Sequence, residues 1–306
     1  IPSQMLPFPD FLAKSEQARV QNISGAYGHA VMDGELFERT LKVDGSSATI
    51  YTYRGMDEAG PRIDYGVTQR NYEVDLRDIH LTREQAVRRF LAGMIFTNRY
   101  IFKLGLPELR DPKVMAAQPE WVQNPLPGIG QALKRALHKL IHIRPTVNIN
   151  IPKYTRVIRA TDNPYAKFAL QTGILDTLVR HAHLYGEFLT VQGELAGPGI
   201  DDNAEGLTEQ RFMVFSVYRD GRQELLPEEA RAKVEQLGLE YIPVVSASTT
   251  LPTSIKDAVK AAEGPGHFDP ERVREGDVYK SLSRLFSFKV ISAGYLLAEA
   301  AADEAE

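Results

Sequence analysis

Short stretches of the chain alternate apolar and polar residues with a period of two. Thr49–Tyr53, Val147–Ile151, Phe188–Val191, Phe212–Tyr218 and Phe286–Ile291 are rich in aromatic and β-branched residues and predict strands. Helical periodicity lies between them. Thr82 and Gln85 form a capping box, followed by Val87, Phe90, Leu91, Met94, Ile95 and Ile101 on one face, with Gly105 beyond. A second helix is expected from Pro164, carrying Phe168, Leu175, Leu178, Val179 and Ala182. Shorter helices follow Pro227, ending by Gly238, and Ser254, ending by Gly264. Residues 104–130 are rich in proline and glycine and read as irregular connection. Strands and helices mix without a regular βαβ beat. The pattern therefore predicts an α+β fold of antiparallel sheets flanked by helices, not a doubly wound parallel one.

Composition removes several chemistries. With no cysteine in 306 residues, disulfides, thiolate nucleophiles and cysteine-ligated metals are excluded. No run of eighteen apolar residues appears, so no membrane-spanning helix is expected, and no secretion signal is visible; the reading is cytoplasmic. Net charge is −4, yet residues 121–161 contain no acid while holding Lys134, Arg135, Lys139, Arg144, Lys153, Arg156 and Arg159. Taken alone, that is a solvated basic face; it is also what a phosphate backbone attracts. Residues 298–306 hold four acids and no base and read as an acidic tail. One domain is expected over 1–297, with a basic connection or insertion near 104–160.

Four local features carry candidate chemistry. Leu41-Lys42-Val43-Asp44-Gly45 contains an Asp-Gly pair, which by itself marks a hairpin turn, as Asp33-Gly34 and Asp220-Gly221 also do. Val191-Gln-Gly-Glu194 is a strand running into a carboxylate and then a glycine-rich turn up to Ile200. Arg274-Glu275-Gly-Asp277-Val-Tyr-Lys280 and Phe286-Ser-Phe-Lys289-Val-Ile-Ser292 follow. Alternation places Lys289 on a strand face shared only with Ser287, where a lone lysine commonly reaches solvent. His138 and His142 are four apart on a basic helix but lack an acidic partner, which favours solvent or nucleic acid over metal.

The order of these parts is more specific than any one of them. Lys-x-Asp-Gly, strand-Gly-Glu, a hydrophobic strand reaching Phe215, Glu-Gly-x-Val-x-Lys and a lysine-bearing strand resemble the covalent lysyl-AMP nucleotidyltransferases: ATP-dependent DNA ligases, RNA ligases and capping enzymes. The Gly193–Ile200 and Phe286–Ser292 runs, and the lead-in from Phe8-Pro-Asp-Phe11 through Arg19-Val-Gln-Asn22, are similar to RNA ligases of the Deinococcus and Naegleria type.

That resemblance implies an ATP-grasp-like nucleotidyltransferase domain with the nucleotide bound between its antiparallel sheets. It implies Lys42 as the nucleophile that takes AMP from ATP. Asp44, Glu194 and Glu275 would hold Mg²⁺ or Mn²⁺ through waters. Arg70, in Thr68-Gln-Arg-Asn71, would contact the nucleotide sugar and the strand to be joined. Phe215 would stack on adenine, Lys289 would contact the α-phosphate, and Lys280 would assist. The implied partners are RNA ends, including those of nicked duplex RNA or RNA/DNA. Two departures stand out. Asp277 occupies a position that is apolar in many relatives, and it could face solvent or add to the metal site. The N-terminal OB-like module of such relatives does not precede Ile1. A DNA ligase or capping-type enzyme, or a non-catalytic nucleotide- or RNA-binding relative, remains the alternative. If the basic stretch tracks a nucleic-acid backbone, reversing the charge of Arg135, Lys139 and Arg144 will lower the salt slope of RNA binding by about three; an unchanged slope excludes this surface.

Overall fold

The structure is a computed structural model that describes residues 5–14, 17–58, 60–77, 79–80, 157–158, 160 and 163–305. The chain divides into two compact units: Ile1–Arg77 with Ala160–Glu306, and Asp78–Arg159. In the second unit, β7 (Ile79–His80) pairs antiparallel with β8 (Val157–Ile158). The helix expected from Thr82, the strand expected at Val147–Ile151 and the basic residues Lys134 to Arg156 lie outside the described residues.

Among the described residues, the first unit holds two sheets. The larger has the order β1 (Met5–Pro7), β6 (Tyr72–Val74), β5 (Gly60–Gln69), β4 (Ser46–Asp57), β9 (Leu189–Ala196), β10 (Arg211–Arg219) and β11 (Gln223–Glu224), with β12 (Glu240–Tyr241) pairing β10. The smaller has the order β13 (Val244–Thr250), β3 (Leu36–Lys42), β14 (Gly276–Ser281), β15 (Ser287–Ile291) and β2 (Ala18–Arg19). All pairings are antiparallel except β10 with β12 and β15 with β2. The mixed, mostly antiparallel α+β architecture expected from the sequence is the one observed.

Period-two alternation gives each sheet two unlike faces. On the larger sheet Ala48, Ile50, Val67, Leu189, Val191, Leu195, Val214 and Val217 form a core with α2 (Pro164–Gln171), α3 (Ile174–Tyr185) and α4 (Pro227–Gln236). The smaller sheet buries Phe37, Tyr279, Phe288 and Val290 beneath α1 (Ser24–Met32) and α5 (Ile255–Ala261). The other faces of the two sheets look toward each other. Leu41, Val43, Ala196, Leu207, Met213 and Ile242 make a third, smaller cluster that joins residues of both sheets.

The single helix expected from Pro164 to Ala182 is two. Asn163 caps α2, its side chain accepting from the amides of Tyr165 and Ala166 at 3.0 and 3.2 Å. That helix ends at Thr172, and Gly173 takes φ of 73°, a left-handed value that stops the helical ladder. Apolar periodicity continues across the break because both helices pack on the same core, which is why the pattern alone conceals it. Residues 298–305 continue α6 (Ala293–Ala305), so the acidic stretch begins inside a helix.

One carboxylate ties α3 and α4 to the larger sheet. Glu187 accepts from Lys233 of α4 and Arg219 of β10 at 2.8 Å each, and it meets His181 of α3 at 2.8 Å. Burial alone would raise its pKa, but Lys233, Arg219 and His181 together hold it down to about 2. A depressed carboxylate stabilises the fold above its ordinary 4.5 and loses that contribution as pH falls toward 2. Urea denaturation of Glu187→Gln is therefore expected to show a shallower loss of stability between these pH values than wild type; parallel curves would remove Glu187 from this role.

Candidate active site

The lysine segment is not a hairpin. β3 lies in the smaller sheet and β4 in the larger, so Val43–Gly45 is a link that crosses from one sheet to the other. The same dipeptide at Asp220–Gly221 does close a hairpin, between β10 and β11. Gly45 is required for a different reason: a Cβ there would come within 2.6 Å of the Leu195 carbonyl oxygen, so only glycine lets the link pass so close to β9. Lys42 is consequently the last residue of its strand, at the edge of the gap between the sheets.

Register then determines what Lys42 meets. Lys42 is opposite Gly276 of β14, and Gly276 is opposite Ile291 of β15. Thr40, Val278 and Lys289 form the next row, and Glu38, Lys280 and Ser287 the row after. Residues two apart share a face, so Lys42, Lys280 and Lys289 all point into the gap. From the larger sheet, Ser47, Glu194 and Met213 are cross-strand neighbours on the face turned toward them.

The gap is electrostatically divided. Lys42 Nζ is 2.6 Å from Glu275 Oε1, while Glu275 Oε2 is buried and has no hydrogen-bond partner among the described residues. Burial pushes Glu275 up to about 7 against the pull of Lys42. Glu194 is pushed up to about 8, mainly by burial; Lys42 opposes the shift and Glu275, Asp44 and Asp201 add to it. Asp44 Oδ2 accepts from the Tyr295 hydroxyl at 2.6 Å, and the Asp44 amide donates to Glu205 Oε1 at 2.8 Å. Burial and the Asp44 carboxylate hold the Tyr295 hydroxyl well above the usual tyrosine range, which keeps it a donor.

Cations face these acids. Burial lowers the pKa of Lys289, and Lys42, Arg19 and Arg70 push it in the same direction. Arg19 is beside Lys289 in the parallel β2–β15 pairing, and Arg70 follows β5. Arg70 also lines a cleft with Phe8, Lys14, Ser47, Thr49, Gln69 and Gln192. An ammonium crowded by other positive groups is suited to receive a polyphosphate.

Phe215 falls at a bulge in β10, between Val214 and Ser216, and packs partly against the cluster between the sheets. Lys280 lies with it and apart from the Lys289 group. Its buried ammonium is 2.6 Å from Ser216 Oγ, donates to the Phe215 carbonyl, and sits 5.9 Å from the Phe215 ring centroid and 3.6 Å from Glu224. Burial lowers its pKa, and Glu224 and Glu38 oppose that shift. Its donors are thus engaged by the protein, with the Phe215 bulge as their main object.

Asp277 neither faces solvent nor joins the acids around Lys42. Alternation turns it to the opposite face of β14, where it is fully buried and paired with Arg39 (2.6 Å) and Arg274. Arg39 also donates to the Ala261 carbonyl of α5. Removing one partner of a buried pair leaves the others uncompensated.

Sequence reasoning missed Glu205, Tyr295 and the site position of Arg19. Arg19 stood within the similar lead-in segment but carried no assigned role. Glu205 follows a turn in which Asp201, Asp202 and Asn203 all take positive φ, and such a path has no periodic signature. Tyr295, in the first turn of α6 after β15, meets Asp44 across 251 residues of sequence, which no local pattern signals.

The oxygen donors suit a hard divalent cation: Asp44, Glu194, Glu205 and Glu275 concentrate negative charge that the protein does not fully neutralise, and Glu275 Oε2 lacks a partner. Among the described residues, no group of three His, Cys, Asp or Glu is already drawn together to hold a metal. The donor chemistry of these carboxylates fits such an ion.

This architecture is a nucleotidyltransferase fold. Residues 151–291 match the RNA ligase family model. The chain is similar in structure to point mutants of the Naegleria gruberi RNA ligase. One with AMP and Mn has a TM-score of 0.58 and 22% identity, over 96% of this chain and 60% of that one. One with ATP and Mn has a TM-score of 0.59 and 23% identity, over 97% and 61%. An apo form has a TM-score of 0.59 and 22% identity, over 97% and 60%. This chain thus spans about three fifths of the length of those proteins. No curated protein matches it. Among the described residues, no helix is long and apolar enough to cross a membrane.

The opposite faces of β14 predict opposite mutational phenotypes. Asp277→Ala is expected to cost about 3 kcal/mol of stability in urea denaturation because two arginines lose their buried partner. Asp44→Ala, in the link between sheets, is expected to change stability by less than about 1 kcal/mol. Equal losses would contradict the division of the faces.

Proposed function

We propose that this domain is the adenylyltransferase core of an ATP-dependent RNA ligase that carries AMP on Lys42. The observation that carries the reading is the placement of Lys42 at the edge of a two-sheet gap, against Glu275 at 2.6 Å, between an acidic and a cationic wall. The RNA ligase match over residues 151–291 supports it, and that span includes Glu194, Phe215, Glu275, Lys280 and Lys289.

In the first step Lys42 Nζ gives up its proton and attacks the α-phosphorus of ATP. An N–P bond forms, the bond to the bridging oxygen breaks, and pyrophosphate leaves. Lys289, Arg19 and Arg70 offset charge on the phosphates, and the Phe215 ring receives the adenine face. Asp44, Glu194 and Glu275 would hold Mg²⁺ or Mn²⁺, which supplies positive charge to the transferring phosphate. The Lys42 ammonium must first pass a proton to Glu275, 2.6 Å away, or to solvent, because an ammonium has no lone pair. AMP then passes to a 5′-phosphate end, and a 3′-hydroxyl attacks that end and releases AMP. The substrates proposed are RNA ends, including nicks in duplex RNA or RNA/DNA, in a cytoplasmic repair role. The sealing steps are proposed to draw on an OB-like module of the kind the resemblance implies.

Incubation with α-labelled ATP is expected to leave label on wild type after denaturation. The label should fall to background in Lys42→Ala and form about 10²–10³-fold more slowly in Lys289→Ala. Label from GTP but not ATP would make the chain a capping-type enzyme. No label on wild type would refute the covalent chemistry.

A further inference from the structure

One turn of chain touches both acids that flank Lys42. Ser292, fully buried just before α6, donates its amide to the Glu275 carbonyl at 2.8 Å and its hydroxyl to the Arg274 carbonyl at 2.7 Å. The same hydroxyl oxygen accepts the Tyr295 amide at 3.1 Å, which fixes the first turn of α6. Three residues on from Ser292, the Tyr295 hydroxyl donates to Asp44 Oδ2 at 2.6 Å. Asp44 needs this support. It sits in the link between sheets, outside both ladders, and its backbone amide donates to Glu205. A short O–H to carboxylate bond is charge-assisted and directional, so it restricts the rotamers of Asp44.

From this geometry we infer that Tyr295 is a positioning residue: the Ser292–Tyr295 turn holds the Asp44 carboxylate in fixed relation to Glu275, so that the two present their oxygens to one divalent cation. The inference rests on the proposed function for the identity of the cation site. It concerns only how this chain sets its own donors. Residues that orient ligands typically change metal affinity by tenfold or more when their bond is removed. A hydroxyl that merely packed would not.

The test is Mn²⁺ alone, titrated into the full chain while free Mn²⁺ is counted by electron paramagnetic resonance, with no nucleotide and no turnover. Tyr295→Phe keeps the ring and removes only the O–H; it is expected to melt as wild type does and to bind Mn²⁺ about tenfold more weakly. Ser292→Ala, which keeps the tyrosine and cuts the cap, should weaken binding in the same direction. In an Asp44→Asn background, Tyr295→Phe should cause no further loss, because the two act as one unit. Equal or tighter Mn²⁺ binding by Tyr295→Phe, an additive loss in the double variant, or no Mn²⁺ binding by wild type overturns the assignment. The outcomes separate from those of the labelling experiment. Wild type that takes no AMP yet shows the Mn²⁺ difference loses the ligase reading and keeps Tyr295 as a positioning residue; wild type that labels while Tyr295→Phe binds Mn²⁺ unchanged does the reverse.

Discussion

The contact between Lys42 and Glu275 sits where the constraints of the fold converge. It pairs the end of β3 with the residue just before β14 at 2.6 Å, in a gap that burial makes costly for any unpaired charge. That cost explains the local chemistry. Glu275 and Glu194 are pushed toward the neutral range because they are buried near one another and near Asp44, with Lys42 as the main compensating charge. A single ammonium cannot balance several carboxylates. The site is therefore suited to a second cation, and the Lys42 ammonium stays engaged by Glu275 until that pairing changes.

Both sheets contribute, and neither would suffice. The smaller sheet supplies Lys42 and Lys289 through register alone, while the larger supplies Glu194 and the Phe215 bulge. The link Val43–Gly45 joins them, and Gly45 passes close enough to β9 that a side chain would collide. Packing on the outer faces keeps this gap defined. Asp277, Arg39 and Arg274 form an ion cluster behind β14, and Glu187 collects Lys233, Arg219 and His181 behind the larger sheet. Buried charge thus appears on both faces of β14 with different consequences: paired at the back, surplus at the front.

Much of the fold could be read from the chain. Strand segments with period-two alternation were placed because each must bury one face, and caps such as Asn163 and Ser254 mark helix starts through local hydrogen bonds. The break at Gly173 was hidden because apolar spacing persists on both sides of it. The Asp44-Gly45 pair misled in its local reading, since a hairpin and a crossing between sheets use the same dipeptide. What separates them is the distant strand that each neighbour joins.

The sequence by itself determined the chemical parts and their order: a lysine in Lys-x-Asp-Gly, the carboxylates at Glu194 and Glu275, Phe215, and Lys289 on a sparsely polar strand. Those are properties of residue type and short-range spacing. The tertiary structure alone decided which parts meet. It turned Asp277 away from the site, set Lys280 beneath the Phe215 bulge, and brought Arg19 beside Lys289 and Glu205 and Tyr295 to Asp44. The physical reason is that side-chain direction depends on strand register, and register is fixed by pairing between segments far apart in the chain.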